Sequence, residues 1–235
     1  MSATESAETL RLTLDVRHPG CWVLDVTTQV DVGFLGYAIY TRESGRASTH
    51  YTVYGDEQDT IEEGLSLVRN HPAVYSVSEM AHGYRHGRSP TPGNVTRDLL
   101  VEHDGKTQIS DAFTSRGFVY GAPVDAFGKT EHWTVLSNAT RETIQSLLNE
   151  IRDERDAEIV VESITSASRT EGSNSLPLDG LSHRQREIFQ LARKRGYYQH
   201  PKAVTAGELA TELSITTSTF HEHLHKAEAK VLDLS

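Results

Sequence analysis

Apolar and polar residues follow two different rhythms along this chain. Up to about residue 165 they mostly alternate, the period of a half-buried strand. These runs predict strands near Leu10–Val16, Trp22–Val30, Gly33–Tyr40, Ser48–Tyr54 and Val74–Met80. A second set falls near Asp98–Glu102, Gln108–Thr114, Gly117–Pro123, Glu131–Leu136 and Glu158–Ile164. Only two segments of this region read as convincing helices. Ile61, Leu65 and Val68 share a face of TIEEGLSLVRN, and Ile144, Leu148 and Ile151 share a face of TIQSLLNEIRD. After Leu181 the pattern turns helical throughout.

The two helices belong to a repeat. His50-Tyr51-Thr52-Val53 precedes the first as His132-Trp133-Thr134-Val135 precedes the second. A β-rich segment follows each, AVYSVSEM and AEIVVESI. Strands, HxTV strand, helix and strand thus occur twice. This predicts an α+β fold, with a duplicated antiparallel sheet and helix like that of ferredoxin-like or ACT-like regulatory domains. The expected boundaries are 1–88 and 89–165 for the repeats and 166–180 for a linker, SASRTEGSNSLPLDG. An all-α domain at 181–235 completes the chain. Paired modules of this shape bind an effector at their seam or dimerise through sheet edges, although a fold fixes no ligand.

The tail carries helix punctuation. Ser182-x-x-Gln185 and Thr205-x-x-Glu208 are capping boxes, each opening an apolar-periodic run. Gly196 follows the basic turn Arg193-Lys194-Arg195 as a C′ glycine. Thr216 is placed to cap a third helix, on which Phe220, Leu224, Ala227 and Val231 form one stripe. Ala210 is small where two helices must cross, and Ser214-Ile215-Thr216 is a short turn. Together these predict a helix-turn-helix that enters a DNA major groove. Thr217, Ser218, Thr219, His221, Glu222 and His225 lie off the stripe and are the candidate base readers. Arg184, Arg186 and Lys202 are the candidate phosphate contacts, and Glu222 can accept from a cytosine amino group. The competing reading is a helical tail that packs on the rest of the chain, or recruits transcription proteins, without touching DNA.

This tail resembles the C-terminal domain of the bacterio-opsin-activator type of haloarchaeal transcription regulators. The resemblance rests on Leu181-Ser182-x-Arg184-Gln185-Arg186-Glu187, Gly196-Tyr197-Tyr198, Pro201-Lys202, Glu208-Leu209-Ala210 and the closing Leu224-x-Lys226-Ala227-Glu228-Ala229-Lys230. Ser218-Thr219-Phe220-x-Glu222-His223-Leu224 is also similar to the recognition region of major sigma factors. One departure is Leu224-His225-Lys226, where such domains more often carry a pair of arginines. The resemblance implies a DNA-binding regulator working in a salt-rich cytoplasm.

Charge separates the same two parts. Net charge is −10, which at first argues against nucleic acid. Residues 181–235 hold eight Lys/Arg against six Asp/Glu, while the rest holds fifteen against twenty-seven. No run approaches the eighteen apolar residues of a membrane span, and MSATESAETL lacks the features of a signal peptide. Cys21 is the only cysteine, so no intrachain disulfide is expected and a reducing cytoplasm fits.

Other candidate chemistry is sparse. His18-Pro19-Gly20-Cys21-Trp22 offers one histidine and one cysteine, too few for a structural zinc, which takes four ligands. The preferred reading is a turn at Pro19-Gly20, with Cys21 and Trp22 entering a core strand, and no metal or cofactor is assigned. The basic loop His82-Gly83-Tyr84-Arg85-His86-Gly87-Arg88 can hold an anion or simply join the repeats. His50 and His132 either flank a pseudo-symmetric site or serve as cross-strand partners. Tyr197-Tyr198 is expected to pack against the second tail helix. No GxSxG, HExxH, P-loop or dinucleotide fingerprint is present, so no enzyme is expected. The partners expected are double-stranded DNA, a small-molecule effector and a second copy of the chain, with no membrane.

Overall fold

The computed structural model describes residues 8–80, 93, 95–167, 178 and 181–232. The strands are β1 (Leu10–Arg17), β2 (Gly33–Thr41), β3 (Arg46–Gly55), β4 (Val74–Met80), β5 (Val95–Asp104), β6 (Val119–Tyr120), β7 (Val124–Phe127), β8 (Thr130–Ser137) and β9 (Glu158–Ser166). The helices are α1 (Trp22–Thr27), α2 (Gln58–Asn70), α3 (Ser110–Thr114), α4 (Arg141–Arg155), α5 (His183–Lys194), α6 (Ala206–Glu212) and α7 (Thr217–Val231). All nine strands join one antiparallel sheet, and α5 to α7 form the tail.

Along the chain, β1-α1-β2-β3-α2-β4 is followed by β5-α3-β6-β7-β8-α4-β9. With β6 set aside, this is the βαββαβ order of the ferredoxin-like fold, twice. Across the sheet the order is β4-β5-β3-β2-β7-β8-β1-β9, with β6 beside β8. In a self-contained unit β1 would lie between β3 and β4. Here β5 takes that place, and β1 lies between β8 and β9. The repeats have traded their first strands.

Each hydrophobic core is therefore built from both repeats. Leu99 and Val101 of β5 pack with Ile61, Leu65 and Val68 of α2. Leu10, Leu12, Leu14 and Val16 of β1 pack with Ile144, Leu148 and Ile151 of α4. The helices that follow the traded strands return home: Trp22 and Val26 of α1 to the first core, Ala112 and Phe113 of α3 to the second. A second repeated motif marks the exchange. β1 runs into Val16-Arg17-His18-Pro19-Gly20, and β5 ends in Val101-Glu102-His103-Asp104-Gly105.

Two expected strands are helices. Trp22–Val30 becomes α1 and Gln108–Thr114 becomes α3. The first is rich in β-branched residues, which suit a strand as well. Its buried Trp22, Val26 and Val30 lie four apart, which is helical spacing. The Pro19-Gly20 turn is present, but Cys21 caps α1 rather than entering a strand. Gly117–Pro123 yields only the two residues of β6, and β7 was not expected. The basic loop at 82–88 lies outside the described residues, as does most of the linker.

The two faces of the sheet differ in chemistry. Helices α1 to α4 cover an apolar face. The other face carries Asp15, His50, Thr52, Tyr54, Asp98, Asp125 and His132, several of them directly opposite one another. His132 Nδ1 lies 2.6 Å from Asp15 Oδ1, and Thr52 donates to Asp98 at 2.5 Å. His50 lies 3.7 Å from Asp98. These histidines are cross-strand partners, and β2 and β7 separate them. Tyr54 lies across Gly33, where an added Cβ would come 2.1 Å from the ring, and its hydroxyl donates to Asp125 at 2.6 Å.

Candidate nucleic-acid interface

The tail is organised by the caps its sequence announces. Ser182 accepts from the Gln185 N–H at 3.2 Å, and Gln185 accepts from the Ser182 N–H at 3.3 Å. Thr205 and Glu208 repeat the exchange at 3.3 and 2.8 Å. The Thr205 N–H and hydroxyl hold the Glu208 carboxyl below its ordinary range. Gly196 closes α5 at φ +78°, a conformation that favours glycine. Between α6 and α7 the chain turns through Ser214 at φ 56°, and the Ile215 N–H donates to the Ala210 carbonyl at 2.9 Å. Phe220, Leu224, Ala227 and Val231 are buried against Leu181, Ile188, Phe189, Ala192, Leu209 and Ala210. Leu213 and Ile215 pack partly buried beside them.

Helix α7 has one buried stripe and one open face. Ser218, Glu222 and His225 share that face, spaced four and three apart, and are exposed together with Thr217. Half-buried His221 sits beside them, its ring 5.5 Å from that of His225. Thr219 is committed to the helix start: its N–H donates to Thr216 Oγ1 at 3.1 Å, and the two hydroxyls meet at 2.8 Å. Lys226 pairs with Glu222 at 2.7 Å and holds its carboxyl below the ordinary range. Lys202 is exposed, its ammonium 3.8 Å from the centre of the Tyr197 ring. Arg184 pairs with Glu187 and donates to the Leu213 carbonyl at 3.3 Å, bracing α5 against the turn. Arg186 points elsewhere, 3.9 Å from Asp125 of the sheet and donating to the Leu178 carbonyl at 3.4 Å. Tyr197 and Tyr198 meet α7 through Phe220 and Glu228, and Tyr197 packs partly buried on the cluster that includes Leu209 and Ala210 of α6.

The sequence profile of a family described as HTH DNA binding domain matches residues 181–233. The tail is a helix-turn-helix DNA-binding domain. This agrees with the bacterio-opsin-activator type that its motifs resemble. A second profile, described as an N-terminal region, matches residues 11–89. The chain is similar to transcriptional regulator NarO of Haloferax volcanii, 29% identical over 150 residues, covering 58% of this chain and 71% of that protein. A second protein of that organism, also named as a transcriptional regulator, is 40% identical over 53 residues. That match covers 23% of this chain and 9% of the relative.

The helix-turn-helix domain docks on the polar face of the sheet. His183 stacks on Phe127, ring centres 4.4 Å apart, and lies 6.1 Å from His132. His223 lies 3.7 Å from Asp56, and Lys230 donates to the Gly93 carbonyl at 3.3 Å. Burial lowers the pKa of His183 below its ordinary value, and the neighbouring His132 adds to this. No local pattern announces these contacts, because each joins residues far apart in sequence. Docking engages the flank of α7 that carries His223 and Lys230, and the open face stays exposed. Among the described residues no helix is long and apolar enough to cross a membrane.

Proposed function

We propose that this chain is a sequence-specific, DNA-binding transcription regulator rather than an enzyme, working in the cytoplasm. The tail, 181–235, reads double-stranded DNA. The repeats, 1–88 and 89–165, form its regulatory half, joined to the tail by the linker 166–180. One observation carries this reading. Helix α7 buries one stripe in its own domain and leaves Thr217, Ser218, Glu222 and His225 open beside His221. Short hydroxyls, an imidazole and a carboxylate are groups that read base edges. The names of the two Haloferax relatives support the same role.

In this reading Thr217, Ser218, His221, Glu222 and His225 face the bases, and Thr219 sets the start of the helix and adds a contact there. Lys202 and Arg184 take phosphates. Arg186 joins them when it leaves Asp125, so docking on the sheet withholds a phosphate contact. The regulatory half binds a small effector at the seam between its repeats. The open sheet edges, β4 and β9, hold two copies together. The test is a genome-wide footprint of the tagged chain beside a Ser218→Ala/Glu222→Ala/His225→Ala variant. Each base contact contributes about 1–3 kcal/mol of discrimination. The variant therefore keeps its fold and loses its preferred sites. An unchanged footprint would reject the assignment of these residues.

A further inference from the structure

The strand exchange brings two histidines to the seam in different company. His18 follows β1 and His103 ends β5, at equivalent places of the VxHxG repeat. His103 is satisfied: Nε2 lies 2.9 Å from Thr49 Oγ1, and Nδ1 lies 3.2 Å from the Asp104 carbonyl. His18 instead faces Glu131, the counterpart of Thr49, with Nε2 3.8 Å from Oε2. Cys21, which follows Gly20 as Lys106 follows Gly105, donates from Sγ to Glu131 Oε1 at 3.1 Å. One half of the duplication thus presents imidazole, thiol and carboxylate. The equivalent positions of the other half hold His103, Lys106 and Thr49.

These three donors form a ready set. Their ligand atoms all lie within 4.8 Å of one another. Metal bonds of about 2.0–2.3 Å in a tetrahedron place donors about 3.3–3.6 Å apart, so small movements close the set. Cys21 and Glu131 are buried, and the His18 side chain is only 7% exposed. The surroundings orient the donors. His18 Nδ1 lies 3.3 Å from the Pro19 carbonyl, which leaves Nε2 as the free lone pair. Trp133 Nε1 donates to Glu131 Oε2 at 3.0 Å. Gly20, at φ +73° and packed against Thr107, makes the turn between His18 and Cys21.

An independent feature lies beside them. A cavity of about 40 Å³ is lined by His18, Cys21, Glu131 and Gln108. Gln108 is only 7% exposed, and its amide nitrogen has no hydrogen-bond partner among the described residues. A buried donor left unmade costs free energy, and an oxygen in this cavity satisfies it.

We propose that His18 Nε2, Cys21 Sγ and a Glu131 oxygen bind one divalent transition-metal ion of the zinc type, with the fourth position open to this cavity. Thiolate and imidazole select such an ion over magnesium or calcium. On binding, the Cys21 proton leaves to solvent. Thiolate and carboxylate then cancel the two charges of the ion, as a buried site requires. A water or small anion at the open position accepts from Gln108. Glu131 is followed by His132, whose ring faces His183 of the helix-turn-helix domain through the other side of the sheet. The role of this ion as the effector rests on the regulatory reading above, but its binding does not.

The test adds cobalt(II) to the metal-stripped full chain, without DNA. One equivalent is expected to give a thiolate-to-cobalt charge-transfer band in the near ultraviolet and tetrahedral bands in the visible. One equivalent of zinc then bleaches both. Cys21→Ser loses the charge-transfer band. His18→Ala and Glu131→Gln each weaken binding at least about tenfold. His103→Ala, the equivalent change in the other half, keeps the full spectrum. Circular dichroism checks that each variant is folded, and the wild-type spectrum decides the matter if one is not. A wild-type chain without the charge-transfer band, or a band that survives Cys21→Ser, overturns the site and leaves the DNA reading standing. A chain that shows the band yet binds no duplex supports the site, and the DNA reading alone fails.

Discussion

The helix-turn-helix domain and the sheet region reach their cores by opposite routes. The domain packs α5, α6 and α7 together, and every residue of its buried cluster comes from one continuous stretch. The sheet region fills each core with a strand borrowed from the other repeat. Local contacts make the first a unit that can be read, and can fold, from its own neighbourhood. Long-range pairing makes the second depend on the whole sheet. The helix-turn-helix domain can thus be a separable part, whereas neither repeat of the sheet region stands without the other.

The largest expected effect tests the independence of the reader. Phe220→Ala opens a cavity under α7 and costs about 3–5 kcal/mol, enough to unfold a domain this small. Segment-resolved hydrogen exchange should show protection lost from α5 to α7 and kept in β1 to β9. Equal loss in the sheet would mean that the two regions unfold as one. Leu99→Ala, on the traded strand β5, costs about 2–5 kcal/mol. Strand exchange predicts that both cores lose protection together, the one around α2 and the one around α4. Loss confined to a single core would mean that the repeats are independent after all.

Ser182→Ala and Thr205→Ala each remove a capping box and cost about 1 kcal/mol, measured as a lower melting temperature of the tail. A loss spread through the sheet as well would show the two regions melting as one. The mildest effect is a dependence on pH. Burial and His132 hold His183 below the ordinary histidine value of about 6.5, Arg186 adds to this, and Asp125 and Glu187 oppose it. The docked state therefore takes up its proton later than the undocked state as pH falls. The His183 contribution to docking is full above about pH 6.5 and is lost as pH falls from there toward the lower docked value. Small-angle scattering from about pH 8 to about pH 5 should show the tail separating, and His183→Gln should flatten that response. An unchanged pH response in the variant would mean that His183 does not control docking.

The tail was legible because its signals are short. Both capping boxes, the Gly196 stop and the Phe220–Val231 stripe stand in the sequence and in the structure alike. The faces of α2 and α4 were legible for the same reason, since periodicity within one helix reports burial. The strand exchange was not legible, because pairing β1 with β8 rather than β3 leaves each strand's alternation unchanged. Helix α1 is not legible in the pattern, because Trp22-Val23-Leu24 and Val26 suit either element until the topology decides. The company of Cys21 was hidden too: Glu131 lies 110 residues away, and only the fold brings it in. Arg186 carries a charge that local reading assigns to phosphate, and the structure turns it toward Asp125.

If the open face of α7 reads DNA sequence, the full chain discriminates between duplexes of different sequence. Binding of the full chain to a footprinted target duplex and to a scrambled one, followed across salt from about 50 mM to about 200 mM, tests it most directly. Scrambled binding should fade steeply while the target stays at least about a thousandfold tighter. Equal affinity for the two duplexes, or no binding to either at the lowest salt, would contradict it.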